Sequence, residues 1–161
     1  MTPEPVPPDK AFPRYCDRCR KKTVWPATIS YRSRVRYEGR LHDVDTPQLV
    51  VPRCRECGEL YFDNHAEEQV SRAAREQLRL LQPEQIRGNR LALRLSVPVL
   101  AARLGVSADD LNDWEEGLLL QPRAVDILLR AYFALPDVRA ALGGLDQNPA
   151  FESVVSASPR C

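Results

Sequence analysis

Histidine is scarce: His42 and His65 are the only two in 161 residues. No serine, threonine or cysteine stands beside a base in an arrangement that would make it a nucleophile, and no glycine-rich phosphate loop occurs. The usual constellations for hydrolysis, proton transfer or nucleotide chemistry are missing, so an enzyme is not expected. No apolar run approaches the length needed to span a bilayer, and MTPEPVPPDK at the start is proline-rich and acidic rather than basic and then apolar. The expectation is a soluble, cytoplasmic protein with no membrane partner. Cations are missing from one stretch altogether, with neither Lys nor Arg between Leu104 and Pro122.

Cysteine is present in a pattern. Cys16 and Cys19 form one Cys-x-x-Cys step and Cys54 and Cys57 a second, while Cys161 is a lone thiol in a polar tail. Four soft thiolates at this local spacing ordinarily hold a tetrahedral zinc. Iron in a rubredoxin-like site, or a pair of redox disulfides, would use the same residues. A reducing compartment and the ligand type favour structural Zn2+ over both. Such a site is closed and leaves no position for a catalytic water. His42 and His65 are alternative ligand types, read more naturally as surface or capping residues.

Two small domains are expected rather than one large core, in an α+β chain. The boundaries are a disordered lead over 1–13, a β-rich four-cysteine zinc domain over 14–62 and a linker helix over 63–82. An all-α helix-turn-helix bundle over 83–142 and a disordered tail over 143–161 complete the chain. From Lys10 to Leu60 there are 12 Lys plus Arg against 6 Asp plus Glu, whereas from Pro83 to Leu142 the count is 7 against 8. The first domain is therefore the one suited to an anionic partner.

Within the first domain, Ile29, Tyr31, Val35 and Tyr37 alternate with Ser30, Arg32, Arg34 and Arg36, the period of a half-buried strand. Gly39 turns the chain into a return strand near Leu41 to Val44, and QLVVP reads as a third strand delivering Cys54. Arg32, Arg34 and Arg36 then make a basic face, either a docking surface for an acidic partner or phosphate, or a solvated outer face. Asp63 or Asn64 caps the following helix. Its alanine-rich stripe fits a partly exposed connector or pairing with its own copy. Pro83 opens a run of short helices, with Gly105 as the turn between two of them and Ser107 capping the next, whose Leu111 and Trp114 face inward. Arg90 is a candidate for a structural ion pair.

LSVPVLAARLGVSADDLNDWEEG followed by Gln121 and Pro122 resembles the helix-turn-helix of the XRE (lambda repressor and Cro) family through Leu95, Ser96, Ala101, Gly105, Val106, Ser107, Leu111, Trp114, Glu115, Gly117 and Pro122. PRCRECGELYFDNHAEEQV is similar to the second knuckle of YgiT-type zinc fingers. The two in this order, over roughly Cys16 to Leu142, resemble an MqsA-type antitoxin. The resemblance implies a homodimer that binds operator DNA with its C-terminal domain, represses its operon and holds a toxin with its zinc domain. Carried over by position, Cys16, Cys19, Cys54 and Cys57 are the zinc ligands. The base-contacting Asn and Arg of the family fall on Asp109 and Asp113, and the usual helix-two Gln on Val97. Asp109, Asp110, Asp113, Glu115 and Glu116 give the recognition helix five negative charges, which phosphates repel. Arg103, Ser107, Asn112 and Arg123 remain as candidate DNA contacts, with Arg87, Arg90 and Arg94 as further cations. The alternative is a protein-interaction module whose acidic helix-turn-helix has lost DNA.

Overall fold

A computed structural model describes residues 12–144. Its elements run β1 (Val24–Tyr37), β2 (Arg40–Cys54), α1 (Asn64–Gln77), α2 (Pro83–Ala92), α3 (Val97–Leu104), α4 (Ala108–Glu116), α5 (Arg123–Ala134) and α6 (Pro136–Gly143). The fold is α+β, with one two-stranded antiparallel sheet and six helices among the described residues. The chain falls into two compact units that divide between Gln77 and Leu78. Most of the expected lead and tail, Cys161 included, lies outside the described residues.

The sheet is a long hairpin. Glu38 and Gly39 take positive φ angles of 48° and 78°, the two-residue turn whose twist matches the flanking strands. The sequence predicts three strands and two form, because β2 runs unbroken from Arg40 to Cys54. Ile29 pairs with Leu49 and Tyr31 with Thr46, so Ser30 stands opposite both Pro47 and Gln48. That bulge accommodates Pro47, whose missing N–H would otherwise break the ladder. The proline that looks like a strand boundary in sequence is a bulge within one strand.

Helix α1 belongs to the hairpin. Asp63 caps it by accepting the Ala66 N–H at 3.0 Å, and Ala66 is buried with Leu49 and Val51, flanked by Ile29, Tyr31, Leu60 and Val70. Two glutamines on α1 serve as surrogate strand partners. Gln69 accepts from the Val50 N–H and donates to its carbonyl, both at 2.9 Å. Gln77 does the same for Asp45, at 3.2 and 2.7 Å. Backbone groups that an edge strand would leave to water or to another chain are thus satisfied from within. The expected connector is a structural part of the first unit. Arg75, also on α1, is 1% exposed and donates to the Ser71 carbonyl and hydroxyl.

The second unit packs around Leu81, Ile86, Leu100, Ala101, Leu104, Leu111, Trp114, Leu129 and Tyr132. Its helices are short and are held by polar staples as well as by apolar contact. Buried Asp126 accepts the Leu81 N–H at 2.7 Å and pairs with Arg130 at 2.7 Å, while Gln121 donates to the Leu81 carbonyl at 2.8 Å. Arg90 grips Glu115 with two bonds of 2.6 and 2.7 Å and gives a third, of 2.8 Å, to the Leu95 carbonyl. The Arg90 ion pair anticipated from sequence is present.

Glu115 corrects the charge count of α4. It is 5% exposed and faces the core with Leu111 and Trp114, since positions i, i+3 and i+4 share a helix face. Four carboxylates rather than five therefore remain on the outer side. Asp109, Asp110 and Glu116 are exposed and Asp113 is half-buried.

Candidate metal centre

Each Cys-x-x-Cys step folds into the same small loop. In the first, Cys16 donates its N–H to the Lys21 carbonyl at 2.8 Å and Arg20 returns an N–H to the Cys16 carbonyl at 2.9 Å. In the second, Cys54 donates to Glu59 at 2.9 Å and Gly58 to Cys54 at 3.0 Å. Arg20 and Gly58 occupy equivalent left-handed positions, φ 58° and 77°. Glycine adopts that conformation at little cost, while an arginine there is mildly strained. Short bridges, Arg14 with Val24 and Arg53 with Leu60, close the loops.

The hairpin brings the loops together. The four sulfurs lie within 4.8 Å of one another, with Cys16 to Cys57 at 3.5 Å and Cys19 to Cys54 at 3.6 Å. Zinc–thiolate bonds of about 2.3 Å set the edge of a regular tetrahedron near ~3.8 Å, so the cluster has the size a single metal ion requires. Cys16 and Cys54 are buried, and Cys19 and Cys57 are partly covered. A four-cysteine cluster able to hold a metal ion is thus built by the fold itself. His42 and His65 stand outside the set. His42 packs edge-on to Tyr37, and His65 sits in the first turn of α1 with its carbonyl accepting from Gln69.

Hydrogen bonds sort the thiols into two pairs. Thr23, whose hydroxyl lies 3.2 Å from the Cys54 sulfur, lowers that thiol to about 6. The Tyr61 hydroxyl donates to Cys16 at 3.2 Å and lowers it, while the Tyr61 proton is held up to about 12 by the same bond. Burial raises Cys19, with Cys16 and Cys54 adding to the effect. At Cys57 a bond from the Glu59 amide pulls downward, but burial and the adjacent Cys16 and Cys54 sulfurs outweigh it and push the thiol up to about 12. Four adjacent thiolates repel one another, and a divalent cation at their centre removes the conflict. Thr23 and Tyr61 do not stand out in the sequence. Only their places, four residues after Cys19 and four after Cys57, would mark them. Ion pairs tie the loops on the outside, Arg18 to Glu59 at 2.9 Å and Lys21 to Glu56 at 3.0 Å.

The other candidate residues are dispersed. Arg32, Arg34 and Arg36 project from the solvent face of β1, but Asp45 and Asp43 stand opposite the first two in the register, and Arg32 pairs with Asp45 at 2.6 Å. The basic face is therefore a mixed face with Arg34 and Arg36 as its outer cations. In the second unit, Arg103 is exposed and donates to the Tyr132 hydroxyl at 2.8 Å. Ser107 caps α4 by accepting the Asp110 N–H at 3.0 Å, and Asn112 is exposed. Arg123 reaches the carbonyls of Leu78 and Arg79. Among the described residues, no helix is long and apolar enough to cross a membrane. The sequence matches no protein-family model and no curated protein.

Proposed function

We propose that this chain is a zinc-containing helix-turn-helix regulator of the MqsA-type antitoxin kind, in which a structural Zn2+ organises the first unit and the second unit carries the DNA-facing helix pair. The observation that carries the reading is the four-sulfur cluster in a chain that also holds the α3–Gly105–α4 pair. Zinc is favoured because the donors are all thiolates in a closed set. A closed centre with no open coordination position serves folding rather than chemistry, which fits a non-catalytic protein. A toxin protein held by the first unit, and a homodimeric, cytoplasmic state, complete the proposal.

A second reading is favoured by charge. The outward side of α4 presents Asp109, Asp110, Asn112 and Glu116 and no cation, and an acidic helix is a poor fit to a phosphate-lined groove. In this reading α4 meets a basic protein. Carboxylates can accept from cytosine N4, but phosphate contacts would then have to come from Arg87, Arg94 and Arg103. Binding of the purified protein to its own upstream DNA and to random duplex, across a salt series, separates the two. Specific binding with a steep salt slope supports the regulator, and no preference at low salt supports the protein-interaction module.

A further inference from the structure

Two arginines flanking Cys54 are placed in a way that neither the metal centre nor the hairpin requires. Trp25 and Arg53 are register partners across the hairpin. The Arg55 guanidinium lies over the Trp25 ring, 4.8 Å from its centroid, and its backbone is fixed by an N–H bond of 3.0 Å to the Thr23 carbonyl. Arg53 extends toward Gly58, its Nη2 3.5 Å from where a side-chain carbon on that residue would begin. Between them opens a groove of about 590 Å³ whose walls include Trp25, Pro26 and Ala27. Neither guanidinium meets a carboxylate among the described residues. The lining also includes Cys54 and Cys57, two thiols of the candidate metal centre, and its one carboxylate, Glu56, is engaged by Lys21 at 3.0 Å.

An arginine stacked on an indole keeps its in-plane N–H edges free for a planar oxyanion and has already lost much of the mobility that binding would cost. The volume is within the usual range for a ligand site. We infer that this groove is an oxyanion-binding site that takes the carboxylate of an acidic side chain, with apolar neighbours, from a partner protein. The inference deepens the proposal that the first unit docks a protein, by assigning a location and a chemistry to that contact. A peptide carboxylate suits it better than a phosphate backbone, because Pro26, Ala27 and the indole offer apolar walls for the neighbours of an acidic side chain.

The test uses the full-length, metal-loaded chain and follows the Trp25 indole N–H by nuclear magnetic resonance, assigned with Trp25→Phe. The probe is the blocked peptide Ac-Leu-Glu-Leu-Asp-Leu-amide. Its Gln/Asn counterpart, inorganic phosphate and a random DNA duplex are the comparison arms. A saturable shift with the acidic peptide, at least tenfold weaker with its amide counterpart and in Arg53→Ala and Arg55→Ala, is the expected result. Arg55→Lys should fail to restore it, since an ammonium lacks the planar fork. Unchanged metal content in these variants separates ligand binding from neutralisation of the thiolate centre. No shift at millimolar peptide, equal response to the amide form, or a stronger response to phosphate or duplex would overturn the inference. A toxin that still co-purifies with Arg55→Ala would also overturn the groove's role while leaving the regulator reading intact.

Discussion

The two units differ in how many of their arginines are tied down, although Arg18, Arg32 and Arg75 of the first are engaged by Glu59, Asp45 and Ser71. In the second, Arg90 is committed to Glu115 and Leu95, Arg103 to Tyr132, Arg123 to Leu78 and Arg79, Arg130 to Asp126, and Arg139 to the carbonyls of Tyr132 and Phe133. Short helices cannot satisfy all of their end carbonyls, and arginine forks fill the gaps. In the first unit Arg34, Arg36, Arg40 and Arg53 are exposed and meet no carboxylate among the described residues. Its buried apolar residues include a cluster of Val24 with the cysteines and another of Leu49, Val51 and Ala66, with Tyr37, Val44 and Ala74 buried as well. In the proposed reading a metal held by the four cysteines supplies the cohesion that a larger core supplies in the other unit.

The largest effect is expected at the metal centre. Cys54→Ser should cost the first unit its metal and its fold, since a structural zinc is worth roughly 10–16 kcal/mol of binding free energy in small domains. Loss of strand signal together with one equivalent of zinc, while helical signal persists, is the expected result by circular dichroism and metal analysis. Next come the packing and polar staples of the second unit. Trp114→Ala removes a side chain that is 4% exposed and should cost about 3–5 kcal/mol, read as a fall in the melting temperature of the helical signal. Glu115→Ala leaves the Arg90 charge buried and alone and should cost a similar ~3–5 kcal/mol, with denaturant midpoints as the check. Replacing the pair together should recover part of that loss.

Smaller effects sharpen the picture of the first unit. Gln69→Ala removes both bonds to Val50 and should cost about 1 kcal/mol, seen as faster amide hydrogen exchange at Val50. Arg20→Gly relieves the left-handed strain that Gly58 avoids in the twin loop and should stabilise the unit by about 0.5 kcal/mol. An Arg20→Gly change that destabilises would show that the two loops are not equivalent.

What can be read from sequence follows from chemistry that acts over short spans. The ligand set is legible because two Cys-x-x-Cys steps admit few uses, and the hairpin because Ile29 to Tyr37 alternates and Gly39 follows. Contacts between polar groups far apart in sequence are not legible. Gln77 falls in step with the thin stripe of Ala66, Val70, Ala73 and Ala74, but neither it nor Gln69 reveals in sequence which backbone it meets, so the helix carrying them looks like a connector until β2 is beside it. Pro47 reads as a breaker unless a bulge is foreseen. Glu115 is nearly within reach: Leu111 and Trp114 fix the phase of α4 and place it inward, and Arg90 is already a candidate for an ion pair. Charge counted along the chain conceals that phase.

The most direct test exploits a feature of the composition. The chain has two tryptophans, Trp25 beside the second metal loop and Trp114 in the helical core, so each unit carries one indole reporter. Stepwise chelation of the zinc-loaded protein, followed by the two indole N–H resonances, should send Trp25 to an unfolded position after removal of one metal equivalent while Trp114 stays in place. Persistence of the folded Trp25 resonance in fully metal-free protein would contradict the account, because the first unit would then stand without the ion its four cysteines are built to hold.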